Sequence, residues 1–385
     1  MVTASNFLVG ALNWAFLFLV LKFTNVNEAN TFLAFVSIFL LLSIPSTTIN
    51  YVTNKIGRNL IDWIKSNMVR SIFIIIIYMC VCIGASLLYG FSLLFSVYLS
   101  VLIVLALISS YNKAILQHNL QFVKFASISI IEVLAKILFL YFTINYLHNS
   151  AWFAMGIQYL ISAILPILAN IYLNPKKNIS PNPLNFQTLA TATAFSASIV
   201  IFTNIDTLIG KNILNNFDFN QYQKILQLAK VLLFFSTGLN LVLMPSILSE
   251  KDPKNIFKMF GFTFLAEITF SVIFIIIVSL FTDKIFSVFS IPLLQVIPVM
   301  ITLFSMVIYG FAQSISFVFF RQNAWKIILG ITFILSSVQI VGYLLQRDLL
   351  GFTIMNLVSS ISLLFLFAIF SIKYLRNYFK SYYLQ

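Results

Sequence analysis

Five ionisable side chains stand inside runs of apolar residues, where a charge is costly and marks a functional position by default. Glu132 and Lys136 are spaced four apart, so on a helix they share a face, and Ser129 and Thr143 extend the same polar stripe. Ser196, Thr203, Asp206 and Gly210 line one face of a later run, and Gln227, Lys230, Thr237 and Asn240 line a face of the run after it. Asp206 and Lys230 fall at similar depth on these consecutive runs, so an ion pair between them is geometrically possible. Glu267 sits in a further run, near its inner end. Ammonium groups in such places can hold an anion. Carboxylates in a half-wet cavity can bind a cation or exchange a proton. The plainer readings stay open beside these: a Glu132–Lys136 pair that only offsets its own desolvation, an Asp206–Lys230 clamp between helices, and a Glu267 close enough to the interface to be solvated. Lys211 and Lys224 are expected to reach the outer headgroups along their aliphatic stems.

The elements that carry these residues follow from composition. The chain has 385 residues, 61% of them hydrophobic and 9% charged, with 23 Lys+Arg against 10 Asp+Glu and a formal charge of +13. A soluble domain has about 25% charged residues, so this composition excludes one. The positive charge sits in short gaps between apolar runs, which points to membrane topology and anionic lipid rather than nucleic acid. Cys80 and Cys82 lie in one run and give no disulfide framework. His118 and His148 fall in loops on opposite sides, so no metal pair is expected, and no cofactor motif or P-loop occurs. No cleavable signal is read at the amino terminus: Met1 to Asn6 has no Lys or Arg, and Phe7 to Phe23 is read as the first span.

A hydrocarbon core needs about 20 apolar helical residues. Twelve runs qualify: 6–24, 31–52, 71–90, 92–111, 122–146, 151–173, 187–211, 225–248, 261–282, 291–319, 326–346 and 350–373. The 42 uncharged residues between Arg70 and Lys113 are too long for one span and are divided near Gly90. The 36 between Lys284 and Arg321 are read as an irregular entry, marked by Pro292 and Pro298, followed by one helix. With both termini cytoplasmic, sixteen of the 23 cations, Lys113 among them, lie in inner loops or the tail and five lie outside. Residues 55–70 read equally as an amphipathic helix in the inner interface and as a solvated basic loop.

The architecture expected is therefore an all-α polytopic membrane protein, with about twelve transmembrane helices in two pseudo-symmetric six-helix lobes. The lobes are 1–175 and 187–385, the latter with a basic cytoplasmic tail, joined by a Pro/Asn-rich linker at 176–186. The second helix of each half ends in a similar phrase, Leu42-Ser-Ile-Pro-Ser46 and Val242-Leu-Met-Pro-Ser246, as a duplicated transporter would predict.

Two stretches resemble a known family. Ala114-Ile-Leu-Gln-His-Asn-Leu-Gln-Phe-Val-Lys-Phe125 leading to Ile131-Glu-Val-Leu-Ala-Lys-Ile137 is one. Thr203-Asn-Ile-Asp-Thr-Leu-Ile-Gly210, with Tyr222, Leu228-Ala-Lys-Val231 and Leu243-Met-Pro-Ser246, is the other. Both are similar to the polysaccharide (O-antigen type) flippases of the multidrug, oligosaccharidyl-lipid and polysaccharide exporter superfamily. The sequence departs from that pattern at Glu28-Ala-Asn-Thr31, which lacks the glycine those proteins often carry after an acidic residue. The resemblance implies a bacterial inner (plasma) membrane flippase and not an enzyme. It would move undecaprenyl-pyrophosphate-linked oligosaccharide units to the outer leaflet by alternating access, in contact with membrane lipids and possible association with a polysaccharide polymerase. Lys136, Lys230 and Asn240 would hold the substrate, while Asp206, Glu132 and Glu267 would serve a coupling cation or proton, or line the cavity. A cation-coupled multidrug or metabolite antiporter of the same superfamily is the alternative. A membrane polysaccharide polymerase fits less well, because the outer loops are short. A channel or scaffold would not need paired charges at mid-depth.

Overall fold

The computed structural model describes residues 2–56, 68–119, 121–143, 151–171, 186–249, 252–321 and 324–383. Among them the chain forms fourteen α-helices: α1 Val2–Phe23, α2 Val26–Leu42, α3 Ile44–Ile56, α4 Met68–Leu88, α5 Leu93–His118, α6 Phe122–Phe142, α7 Trp152–Ile171, α8 Phe186–Ile213, α9 Asn216–Ser249, α10 Pro253–Leu280, α11 Thr282–Phe289, α12 Val296–Arg321, α13 Trp325–Leu345 and α14 Leu349–Tyr383. Eight are long and apolar enough to cross a membrane, and α2 with α3 makes a ninth, bent by 44°. The apolar parts of α1 and α4 are shorter, and α9 is more polar along its length. The in-plane helix or loop expected around 55–70 and the linker at 176–185 lie largely outside the described residues.

Both ambiguous runs resolve through backbone geometry. The 42-residue run turns at Gly90, whose φ of +86° suits a residue without Cβ. Phe91 N bonds Ser86 O at 3.2 Å to close α4, and Ser92 Oγ accepts from Phe95 N at 3.5 Å to open α5. The 36-residue run begins with the short helix α11. Ser290 (φ 53°) stops it in a left-handed cap, and a 3-10 turn over Leu293–Gln295 leads into the single long helix α12. An irregular entry followed by one span is the arrangement the prolines suggested.

Packing divides the helices into two units, 1–34 with 201–385 and 35–200, and the continuous helices α2 and α8 contribute residues to both. The lobes expected at 1–175 and 187–385 follow chain order. By packing, α1 goes with the C-terminal helices: Trp14 Nε1 donates to Gln227 O on α9 at 2.6 Å, while Leu17 and Leu21 of α1 cluster with Ala29 and Leu33 of α2. In the other unit the helices are joined by small polar side chains, the usual glue where lipid leaves little hydrophobic drive between helices. Ser46 Oγ donates to Ala106 O at 3.0 Å, Ser109 bonds Ser162, and Tyr98 OH donates to Trp152 O at 2.5 Å.

A repeated start signal marks α2 and α9. Asn25 Oδ1 accepts from Glu28 N at 2.8 Å, and Asn215 Oδ1 accepts from Asp218 N at 2.8 Å, each an asparagine N-cap with an acid at the third helical position. The amide of each asparagine reaches back to that acid, at 3.4 and 2.7 Å. Two residues further on in each case, Asn30 and Asn220 meet, with Asn220 Nδ2 donating to Asn30 Oδ1 at 3.3 Å across a separation of 190 residues. The repeat is thus written as Asn-x-x-acid-x-Asn. The Pro phrase is not equivalent in structure: α2 breaks at Ser43, before Pro45, whereas α9 runs on through position 245.

Candidate functional site

Asp206 is 1% exposed on α8 and sits at the end of a hydrogen-bond chain built from α9, α13 and α14. Gln339 Nε2 donates to Tyr343 OH at 3.1 Å, Tyr343 OH donates to Asn356 Oδ1, Asn356 Nδ2 donates to Tyr222 OH at 2.5 Å, and Tyr222 OH donates to Asp206 Oδ2 at 2.5 Å. Every donor points toward the carboxylate, so each bond polarises the next in the same sense. Asn356 Nδ2 also lies 3.5 Å from Asp206 Oδ2, and the Thr207 N–H donates to Oδ1 at 2.7 Å. The carboxylate thus accepts from donors on three helices, α8, α9 and α14.

Local sequence explains the placement. Gln339 and Tyr343 are spaced i,i+4 and share a face of α13, and the short turn at 346–348 returns α14 so that Asn356 faces them. Phe352 packs beneath both phenols, its ring 4.4 Å from Tyr343 and 5.4 Å from Tyr222. Gly210 makes this possible, because a Cβ there would stand 3.2 Å from the Phe352 ring. A small cavity with room for about one water lies against Asn356 and Gln339, walled by Phe202, Tyr309 and Ser360.

Lys230 is partly buried and within electrostatic reach of Asp206, but the two form no ion pair within 4 Å. The carboxylate's direct partners are Tyr222 and Asn356 instead, because neutral donors bring no second charge that must also be desolvated.

Asn240 and Glu267 meet in a second cluster. Ser314 Oγ lies 2.8 Å from Asn240 Oδ1 and 2.9 Å from Glu267 Oε1, and Ser236 is also hydrogen-bonded to this carboxyl. Glu267 is 1% exposed, so the expectation of a solvated side chain near the interface is corrected: α9 and α12 cover it. Gly310 on α12 lets Ser236 approach, since a Cβ there would lie 2.4 Å from Ser236 Oγ.

In the unit formed by 35–200, Glu132 accepts from Lys113 Nζ at 2.5 Å, the one ion pair within 4 Å among the described residues. Lys113, expected in an inner loop, lies inside α5, which continues to His118 and turns this side chain toward α6. Lys136 is 5% exposed, one helical turn beyond Glu132. The sequence reading missed Lys113, Ser314, Gln339, Tyr343 and Asn356 as site residues. Gln339, Tyr343 and Asn356 carried a signal, as amides and a phenol at helical spacing inside apolar runs; Ser314 carried none, because serine is common in spans.

No family model matches this sequence, and no curated protein matches it. Solved structures do. An outward-facing multidrug resistance MATE family transporter of the MOP superfamily aligns with a TM-score of 0.66 at 12% identity, covering 98% of this chain and 94% of that one. A MATE structure in complex with MaD3S gives 0.70 at 12% identity, covering 99% and 94%. A MOP superfamily transporter from Pyrococcus furiosus Vc1, described as having a binding pocket of reverse polarity that suggests a different function, gives 0.66 at 12% identity, covering 97% and 95%. The chain therefore has the twelve-helix, two-lobe fold of these multi-pass membrane proteins, along its whole described length.

Proposed function

We propose that this protein is a membrane transporter that works by alternating access, and that it couples movement of its cargo to a cation or proton received at Asp206. The observation that carries this reading is the directed chain Gln339–Tyr343–Asn356–Tyr222–Asp206. An ionised carboxylate inside an apolar bundle is expensive, and a chain of aligned donors holds it ready for an arriving positive charge. Binding of that charge removes the demand on the donors. The hold between α8, α9 and α14 then loosens, which is the kind of two-state element that coupling requires.

The cargo favoured by the fold comparison is a small organic molecule, exported in exchange for the coupling ion, because the similar structures include multidrug resistance transporters. A second reading, flipping of an undecaprenyl-pyrophosphate-linked oligosaccharide, is supported by the motif resemblance and by Lys113 and Lys136 beside the single carboxylate of Glu132, a surplus of positive charge suited to an anionic head. In that case a polysaccharide polymerase would be a natural partner. Both readings place the chain in a bacterial plasma membrane, with Lys230 and Asn240 near the cargo's path and both termini on the cytoplasmic side.

The test is export from cells and from proteoliposomes carrying the wild type or Asp206→Asn. Ion-gradient-driven efflux of cationic dyes or metabolites, lost in Asp206→Asn at equal membrane abundance, is the expected result. Unchanged efflux in the variant would sink the coupling assignment. Build-up of lipid-linked glycan on the cytoplasmic side of a deletion strain, with dye efflux untouched, would replace the small-molecule cargo by the glycolipid.

A further inference from the structure

The cluster joining α9, α10 and α12 has one hydrogen too few. Ser314 Oγ is within bonding distance of two oxygens, Asn240 Oδ1 at 2.8 Å and Glu267 Oε1 at 2.9 Å. Ser236 is hydrogen-bonded to the same carboxyl, so with Glu267 ionised and only accepting, three contacts share the two hydrogens of Ser314 and Ser236. Asn240 and Glu267 are each 1% exposed and Ser314 is fully buried, so bulk water does not supply the missing donor.

Two arrangements complete the set. In the first, Glu267 carries a proton on Oε1, donates it in a hydrogen bond to Ser314 Oγ, and Ser314 donates onward to Asn240 Oδ1. In the second, the amide of Asn240 is turned round, its nitrogen donates to Ser314, and Ser314 donates to an ionised Glu267. Either way one amide atom of Asn240 and Oε2 of Glu267 stay without a partner, as both Asn240 Nδ2 and Glu267 Oε2 are here. The choice therefore falls on charge. The second arrangement leaves a full negative charge in an apolar bundle, held only by the hydroxyls of Ser314 and Ser236 and with no Lys or Arg within 4 Å among the described residues; the first leaves a neutral acid. At Asp206 each contact has a hydrogen of its own, from Tyr222, Asn356 and the Thr207 N–H, so no hydrogen is missing there.

We infer that Glu267 is a proton-carrying carboxyl, neutral while the Asn240–Ser314–Glu267 contact is closed and able to exchange its proton when that contact opens to water. The first half stands by itself, and the second rests on the transport reading above. The elements packed on α10 are α9, α11 and α12. Their ionisable positions are Asp218, Tyr222, Lys224 and Lys230 on α9, Asp283 and Lys284 on α11, and Tyr309 and Arg321 on α12, with Glu267 sharing α10 with Lys254 and Lys258. On α9 and on α10 itself, Lys230 and Lys258 are separated from Asn240 and Glu267 by more than two helical turns, at least ~13 Å along the axis.

Infrared difference spectroscopy of the full-length protein in lipid nanodiscs reads this directly. The expected result is a protonated-carboxyl stretch at neutral pH that disappears in Glu267→Gln and persists in Asp206→Asn. Ser314→Ala, which keeps the acid but removes the oxygen that accepts its hydrogen, should move the band; this serves if Glu267→Gln fails to fold. A spectrum unchanged by Glu267→Gln would overturn the protonated state and leave Asn240 turned round, whereas a Glu267 band that ignores Ser314→Ala would overturn the assignment of Ser314 as the acceptor of its hydrogen. In proteoliposomes Glu267→Gln should flatten the pH dependence of transport. A wild-type pH profile in that variant would overturn the exchange half alone. No transport by the wild type would instead overturn the transport reading and leave the infrared result intact.

Discussion

At the scale of single residues, the buried charges are handled in two ways. Asp206 is held by neutral donors, whereas Glu132 is held by a cation, Lys113, whose side chain remains 18% exposed. That partial exposure weakens the pair by screening. Replacing Lys113 by Met or Glu132 by Gln should each cost about 1.5–3 kcal/mol, the usual worth of a hydrogen bond to a charged group. The double variant should cost clearly less than the two single losses together, because neither then leaves a buried partner unpaired. Thermal unfolding of the four proteins in one detergent closes the cycle, and strict additivity would show that the two side chains do not act as a pair. Of the site residues, Glu132, Lys136, Asp206, Lys230 and Glu267 announced themselves in the sequence because charge inside an apolar run is conspicuous. Among their partners Ser314 carried no signal, and Gln339, Tyr343 and Asn356, though polar at helical spacing inside apolar runs, are brought to a carboxyl only by the folded chain.

At the scale of elements, the duplication is clearest where helices begin. The Asn25–Glu28 and Asn215–Asp218 caps satisfy the same orphan N–H groups in equivalent helices, and Asn30 and Asn220 join the two starts. Asn25→Ala and Asn215→Ala should each reduce stability by about 1 kcal/mol, with Asn→Asp nearly neutral, because an aspartate accepts the same bond. Hydrogen exchange at the first turns of α2 and α9 is the measurement. Equal protection in wild type and the alanine variants would remove the caps from the account. Eight of the expected spans, and the bent pair α2–α3 as a ninth, were legible from hydropathy and charge alone, and so was the turn at Gly90, because a long uncharged run must break and glycine is the residue that tolerates the φ it needs. The extension of α5 to His118 was not legible: a single lysine after an apolar run marks a loop as readily as a helix end, and only the acceptor on α6 decides between them.

At the scale of the whole molecule, the resemblance of this chain to solved transporters at 11–12% identity shows how little of the fold resides in particular side chains. Apolar helices of the right length and order suffice. Orientation is a separate matter, set by where the cations fall. In a background with Cys80 and Cys82 replaced by Ser, a cysteine at Lys258 should react with a membrane-impermeant maleimide only after the cells are opened, and one at Asn215 should react in intact cells. The reverse pattern would invert the topology and move Asp206 to the opposite side of its membrane. Sequence by itself determined that the chain is helical, that it lies in a membrane and that it hides a few charges there, because burial of apolar surface and the cost of charge are properties of composition and period. The tertiary structure alone decided which side chains meet. Asp206 with Tyr222 and Asn356, and Glu267 with Ser314 and Asn240, are joined across up to 150 residues of chain, and no local rule fixes contacts between helices that distant in sequence.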